Sequence, residues 1–340
     1  MPLRLIEVVV PRSRGEELEA LAEDHPIIDL WREEVDADHL RLRLLVDAGA
    51  AEPVMDELER RFGDQERFRL LLMPVQASLP RPEEPEPEEE AEDGAEEDDE
   101  TASSSRISRE ELYADLSDSA EMDQVFLIMT ALSALVCSAG LLMDDVAVVI
   151  GAMVIAPILG PLVALALATT LADGALGKEA LKAAGGGLAL AFLVSLCIGA
   201  VAPVSPDVPA IAARSSVGLG HVGLALAAGA AGTLAFTTGT AEAVIGVMVA
   251  VALVPPLVAT GLLLGGGHSA AAQGSFLLTG ANLIGVNLAG VLTFLLQGVQ
   301  PNRWWEAERA KRSTAVAVAV WTVLLLALVA AILWGPGAAR

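Results

Sequence analysis

Two spacings of apolar residues divide the chain. Up to residue 79 they come in short stretches: Leu3 to Val10, Ile27 to Val35, His39 to Val46 and Phe68 to Val75 read as strands, with a turn at Asp36-Ala37-Asp38. Arg14 to Asp24 reads as a short helix, and Ala50 to Phe62 as another, with Val54, Leu58 and Phe62 at helical spacing. The order βαββαβ predicts an α+β, ferredoxin-like soluble domain over residues 1–79. From residue 124 onward the chain is a series of uncharged apolar runs, roughly 124–143, 146–171, 183–204, 216–238, 243–265, 272–297 and 313–334. A bilayer core needs about 20 such residues per crossing helix. The predicted class is therefore a mostly α, polytopic membrane bundle of about seven spans, joined to the N-terminal domain.

Within those runs one stretch occurs twice. VIGAMVIAPILGPLVA (Val149 to Ala164) returns 95 residues later as VIGVMVAVALVPPLVA (Val244 to Ala259), with nine of sixteen positions identical. Both copies contain Gly and Pro inside apolar segments, the pattern of broken helices in corresponding halves of a duplicated unit. The first six runs split into two triplets, repeat one over about 124–204 and repeat two over about 216–297, with 313–334 as an extra helix. Three crossings per unit predict repeats of inverted topology, related by a pseudo-two-fold axis in the membrane plane.

Charge sharpens the division. The net charge of −24 is misleading as an average, because residues 1–123 hold 37 of the 45 acids and 13 of the 21 Lys and Arg. Residues 80–107 include RPEEPEPEEEAEDGAEEDDE, which offers too little apolar surface to fold and reads as an acidic disordered tether. SREE at Ser108 to Glu111 has capping-box spacing and predicts an amphipathic linker helix over 108–123. Lys178, Lys182 and Arg303 to Arg312 share a face with the soluble domain, whereas Arg214 and Arg340 fall on the other. A cytoplasmic N-terminal domain follows. The first thirty residues lack an uninterrupted apolar segment, so a secretory signal is not expected.

Chemistry is sparse. Cys137 and Cys197 lie in apolar runs and read as packing residues, and nothing has metal-ligand spacing. His25 and His39 read as surface residues near turns. No nucleophile, base and orienting group converge, so neither an enzyme nor a cofactor is expected, and nucleic acid is not an expected partner. The candidate pathway residues are instead those of the broken helices and their neighbours: Gly151, Pro157, Gly160 and Pro161 in the first copy, and Gly246, Pro255 and Pro256 in the second. Prolines there remove backbone donors and free carbonyls, which survive in a membrane only when buried in protein or lining a cavity. Glu242 and the pair Asp144-Asp145 stand before the two broken helices and read either as helix caps or as ligands. Ser275, Thr279 and Asn282 share one face of the sixth run, with Asn287 off it, and serve either as helix glue or as a coordinating stripe. The Gly- and Ala-rich GLALAAGAAGTLAF predicts a tightly packed inner helix or an oligomer contact.

GLLMDDVAVVIGAMVIAPILGP (Gly140 to Pro161), VPPL (Val254 to Leu257) and TGANLIGVNLAG (Thr279 to Gly290) resemble the uncharacterised hydrophobic membrane proteins of bacteria and archaea collected as domain-of-unknown-function family 389. The resemblance covers roughly 110–300 and implies a multi-pass protein of a prokaryotic inner (cytoplasmic) membrane that often carries a small N-terminal domain. Asp144-Asp145 stands where it implies Asn. It implies no substrate and no functional residue. The residues point to a channel or secondary transporter for a small ion or polar solute, its cytoplasmic domain sensing a ligand or holding a homo-oligomer together. The alternative is a non-transporting membrane scaffold or signalling protein.

Overall fold

The computed structural model describes residues 3–14, 25–65, 68–75, 78, 107–238, 253–299 and 304–334. They fall into two compact units, Met1–Leu112 and Tyr113–Arg340.

In the first unit four strands, β1 (Leu3–Pro11), β2 (Ile27–Glu34), β3 (His39–Asp47) and β4 (Leu70–Val75), form one antiparallel sheet of order β2-β3-β1-β4. That is the strand order of the expected split pair, although the helix expected over Arg14 to Asp24 lies outside the described residues. Alternation makes the core: Ile6, Val8 and Val10 of β1 and Leu42, Leu44 and Val46 of β3 turn one way, onto Val54, Met55, Leu58 and Phe62 of α1 (Ala48–Phe62). Asp47 caps α1 by accepting from the Gly49 N–H at 3.0 Å. On the other face of the sheet Glu7 accepts from Arg43 at 2.9 Å, with Arg41 at 3.4 Å. His39 is half-buried and meets the Asp36 carboxylate at 2.8 Å across the hairpin turn.

The predicted linker helix is present but shorter, as α2 (Arg109–Ser119). Half of its capping box forms: Ser108 Oγ accepts from the Glu111 N–H at 3.2 Å. The Glu111 carboxylate does not reach back, because Arg4 takes both its oxygens at 2.8 and 2.9 Å. Arg109 is held by Glu110 and by Asp56 at 3.0 Å. Burial pushes the Asp56 carboxyl up, and the Arg109 guanidinium pulls it back only in part.

The second unit is helical: α3 (Gln124–Leu142), α4 (Val146–Ile155), α5 (Leu159–Leu171), α6 (Gly174–Val201), α7 (Pro209–Ser215), α8 (Leu219–Thr237), α9 (Val254–Gly265), α10 (Ser269–Leu296) and α11 (Trp304–Trp334). Short connections turn the chain, and three of the helices, α3, α4 and α6, are capped by the aspartate just before them. Asp123 accepts from Phe126 N–H, Asp145 from Ala147 and Val148, and Asp173 from Ala175 and Leu176. Among the described residues four helices, α3, α6, α8 and α10, are long and apolar enough to cross a membrane, and α4 with α5 makes a fifth candidate bent by 50°. Of the runs expected at 243–265 and 313–334, the described residues contain α9 and the apolar stretch Val318–Leu333 of α11. The run expected from 183 begins nine residues earlier, at Gly174, because Lys178, Glu179 and Lys182 lie on an exposed side of α6 and do not interrupt it. Helix starts at 124, 159 and 174 recur at 219, 254 and 269, a constant offset of 95, and α3 and α8 have 19 residues each while α6 and α10 have 28 each.

Candidate functional site

The first copy of the duplicated stretch is broken at Ala156 to Ile158, between α4 and α5. Pro157 makes the break. It has no N–H for the Met153 carbonyl, and its ring drives the preceding residue out of the helical region: Ala156 has φ −75° and ψ 118°. Pro161, expected to act likewise, stands third in α5, where an N–H has no intrahelical acceptor in any case. Pro255 and Pro256 are second and third in α9, so they too begin a helix rather than interrupt one. The glycines separate in role. Gly160 is buried, and a Cβ there would sit 2.7 Å from Ser119 Cβ, whereas Gly151 is exposed, faces open space and does not join the site. Glu242 and Gly246 lie outside the described residues.

Both half-helices start in the protein interior without a side-chain cap. Ile158 and Leu253 occupy the capping positions and offer no acceptor, and the first residues of α5 and α9 are buried on every side. Sequence patterns missed the neighbour that partly heals the first break: Ser133 of α3, fully buried, donates to the Ala152 carbonyl at 2.6 Å. Thr130 lies one turn away on the same face, 1% exposed, and its hydroxyl has no partner. Each is a lone hydroxyl in an apolar run, so only its tertiary position marks it.

The stripe on α10 is buried as expected, and most of its bonds are local. Thr279 donates to the Ser275 carbonyl at 2.9 Å, and Ser275 Oγ lies 3.3 Å from Ser215 Oγ at the end of α7. Asn282 is buried with them. Asn287, fully buried, donates to the Leu283 carbonyl at 3.0 Å, while its own Oδ1 has no partner. The aspartate pair serves as caps: Asp144, at φ 57°, accepts from the Ala210 N–H at 2.8 Å, and Asp145 caps α4. Arg214 of α7 is half-buried and donates to the Ala210 carbonyl at 2.6 Å, and no described carboxylate pairs with it. Among the described residues no cluster of His, Cys, Asp and Glu could hold a metal ion.

Small residues bring the helices together. A Cβ at Gly199 would lie 2.3 Å from the Leu262 carbonyl oxygen, and one at Gly265 2.3 Å from that of Leu196, while Gly261 sits against Ser195. The α6–α9 seam is thus backbone on backbone, with small residues four apart on both helices. On the other side Ala166 of α5 meets Gly290 of α10, at 2.9 Å from the position of a Cβ there. The offset of 95 carries 166 to 261 and 195 to 290, so the two contacts are one contact with the halves exchanged. The Gly- and Ala-rich α8 packs inward, with Ala225, Gly229 and Thr233 against Gly285, Val286 and Gly290 of α10.

A family model described as "Domain of unknown function (DUF389)" matches residues 153–288, which include the first break, α9 and most of α10. The chain is also similar to "Uncharacterized protein MJ0678" of Methanocaldococcus jannaschii, at 32% identity over 335 residues, covering 98% of this chain and 100% of that relative. No solved structure matches.

Proposed function

Since this chain belongs to the DUF389 family, whose description carries no activity, we propose from its own geometry that it is a membrane transport protein, a channel or secondary transporter for a small ion or polar solute. The observation that carries the reading is the exchanged contact, Ala166 with Gly290 and Ser195 with Gly261. Contacts that swap between halves are what a pseudo-two-fold axis produces. With three crossings per half, that axis lies in the membrane plane and gives the inverted repeats on which many transporters build a central site. The 50° break between α4 and α5 and the buried starts of α5 and α9, which no side chain caps, support the reading, because broken backbone inside a membrane bundle is kept where it is buried in protein or lines a cavity. The excess of Lys and Arg on one face supports a cytoplasmic N-terminal domain, and its open sheet face suits a role in sensing or self-association.

Ser133 on the Ala152 carbonyl and the closeness of the α6–α9 seam favour the rival reading, a packed scaffold whose breaks are healed locally. Purified full-length protein in liposomes separates the two. Protein-dependent flux of a cation, an anion or a small polyol is the expected result; tight vesicles for all three leave the scaffold.

A further inference from the structure

We propose that the break between α4 and α5 binds a small monovalent inorganic anion, a halide or nitrate, with the Thr130 hydroxyl and the first N–H groups of α5 as its donors. The assignment rests on the transport reading and deepens it to a substrate class.

The geometry places Thr130 at the break. Phe126, Thr130 and Ser133 share one face of α3 at spacings of four and three. Phe126 and Ile158 converge on Gly187, with Phe126 Cζ 2.9 Å and Ile158 Cγ1 3.9 Å from the position of a Cβ there, and Ser133 bonds Ala152. The face therefore bonds the α4 side of the break through Ser133 and shares the surroundings of Gly187 with Ile158 through Phe126, and Thr130 stands between those two positions along α3. Its hydroxyl is buried and lacks the bond to the carbonyl four residues back that Thr170, Thr233, Thr260 and Thr279 all make within their helices. A helical threonine that leaves that acceptor unused keeps its O–H free for something else.

Sign follows from the surroundings. The start of α5 carries the positive end of its helix dipole, and the N–H groups of Leu159 and Gly160, which no side chain caps, are anion donors; Pro161, next in the turn, has none. Among the described residues no carboxylate stands on the Thr130 face or in the first turns of α5 and α9 to neutralise a cation; the described acids from Gln124 to Leu296 are Asp144, Asp145, Asp173, Glu179 and Asp207, at helix ends, in connections or on an exposed side. Arg214, half-buried and with no described carboxylate as partner, adds positive potential at the α7 end of the bundle.

The test uses the full chain in liposomes loaded with potassium chloride, with chloride and potassium efflux read separately. Wild type should release chloride, exchange it for nitrate or iodide, and leave potassium retained. Thr130→Val should lower chloride flux about tenfold, the effect of one lost hydrogen bond to a charged species, without lowering the melting temperature. Thr130→Ser should stay near wild type and Thr130→Ala near Val, so that flux follows the hydroxyl and not the side-chain volume, even where one variant fails to fold. Potassium, sodium or polyol flux without chloride overturns the anion while leaving transport standing. Chloride flux indifferent to the whole Thr130 series overturns the site, and vesicles tight to every solute overturn both readings.

Discussion

Replacing Gly265 by alanine tests whether backbone contact between α6 and α9 holds the bundle. The added Cβ would stand 2.3 Å from the Leu196 carbonyl oxygen and 2.7 Å from the Ala200 nitrogen, against 3.4 Å for ordinary contact. Both colliding atoms are backbone, so no rotamer relieves the clash and α9 must retreat by about 1 Å. That retreat also loosens Gly261 from Ser195 and Gly199 from Leu262, four and three residues away on the same seam. Overpacking of this kind costs about 1–3 kcal/mol, and the shared seam puts Gly265→Ala at the upper end. At roughly 2–4 °C per kcal/mol for a domain of this size, the melting temperature in detergent should fall by about 5–10 °C. Gly151→Ala is the internal control: it faces open space, and alanine in a helix gains about 0.5–1 kcal/mol over glycine. Melting would be followed by near-ultraviolet circular dichroism on purified full-length protein. If Gly265→Ala melts with wild type while Gly151→Ala behaves as stated, the seam does not hold the helices at the distance described and the reasoning fails.

The two prolines of the first break should differ: Pro157→Ala restores a donor for the Met153 carbonyl, so it should raise thermal stability and lower any flux in liposomes, whereas Pro161→Ala should change stability by less than about 1 kcal/mol because a first-turn proline breaks no bond. Tyr113→Phe deletes the 2.7 Å hydrogen bond to the Asp173 carboxylate and should destabilise by about 1–2 kcal/mol in thermal melts, with Asp173 still capping α6. At Glu57 burial raises the carboxyl pKa, but hydrogen bonds from Arg60 and Arg61 together outweigh it and the net pKa is lowered. A folded pKa below the unfolded one gives stability that is present above the unfolded value and lost as pH falls through the folded one. Glu57→Gln should therefore flatten the acid limb of the N-terminal unit's melting curve, measured from pH 6 down to pH 3.

What could be read in the sequence was what periodicity carries. Short apolar stretches located β1 and β3, and a sixteen-residue match pointed to the offset of 95 at which helix starts recur. The Ser275, Thr279 and Asn282 face was legible for the same reason, since three polar residues at helical spacing in an apolar run have one side to share. Partners distant in sequence were not legible. Asp144 caps a helix that starts 65 residues later, at Pro209; Glu111 abandons its capping box for Arg4; Ser133 reaches a carbonyl on the next helix. Proline illustrates the difference most clearly. Residue type announces a break somewhere near Pro157 and Pro161, but only the helix start at Leu159 shows that the first makes it and the second merely follows it.

The exchanged seams also impose an order on biosynthesis. Ala166 and Ser195 meet their partners only in Gly290 and Gly261, which leave the ribosome later by 124 and 66 residues respectively. At about 5–20 residues per second Ala166 and Ser195 therefore wait from a few seconds to nearly half a minute for them. A chain truncated before residue 254 lacks α9 and α10, and leaves Ala166 of α5 and Ser195 of α6 without the glycines they pack on.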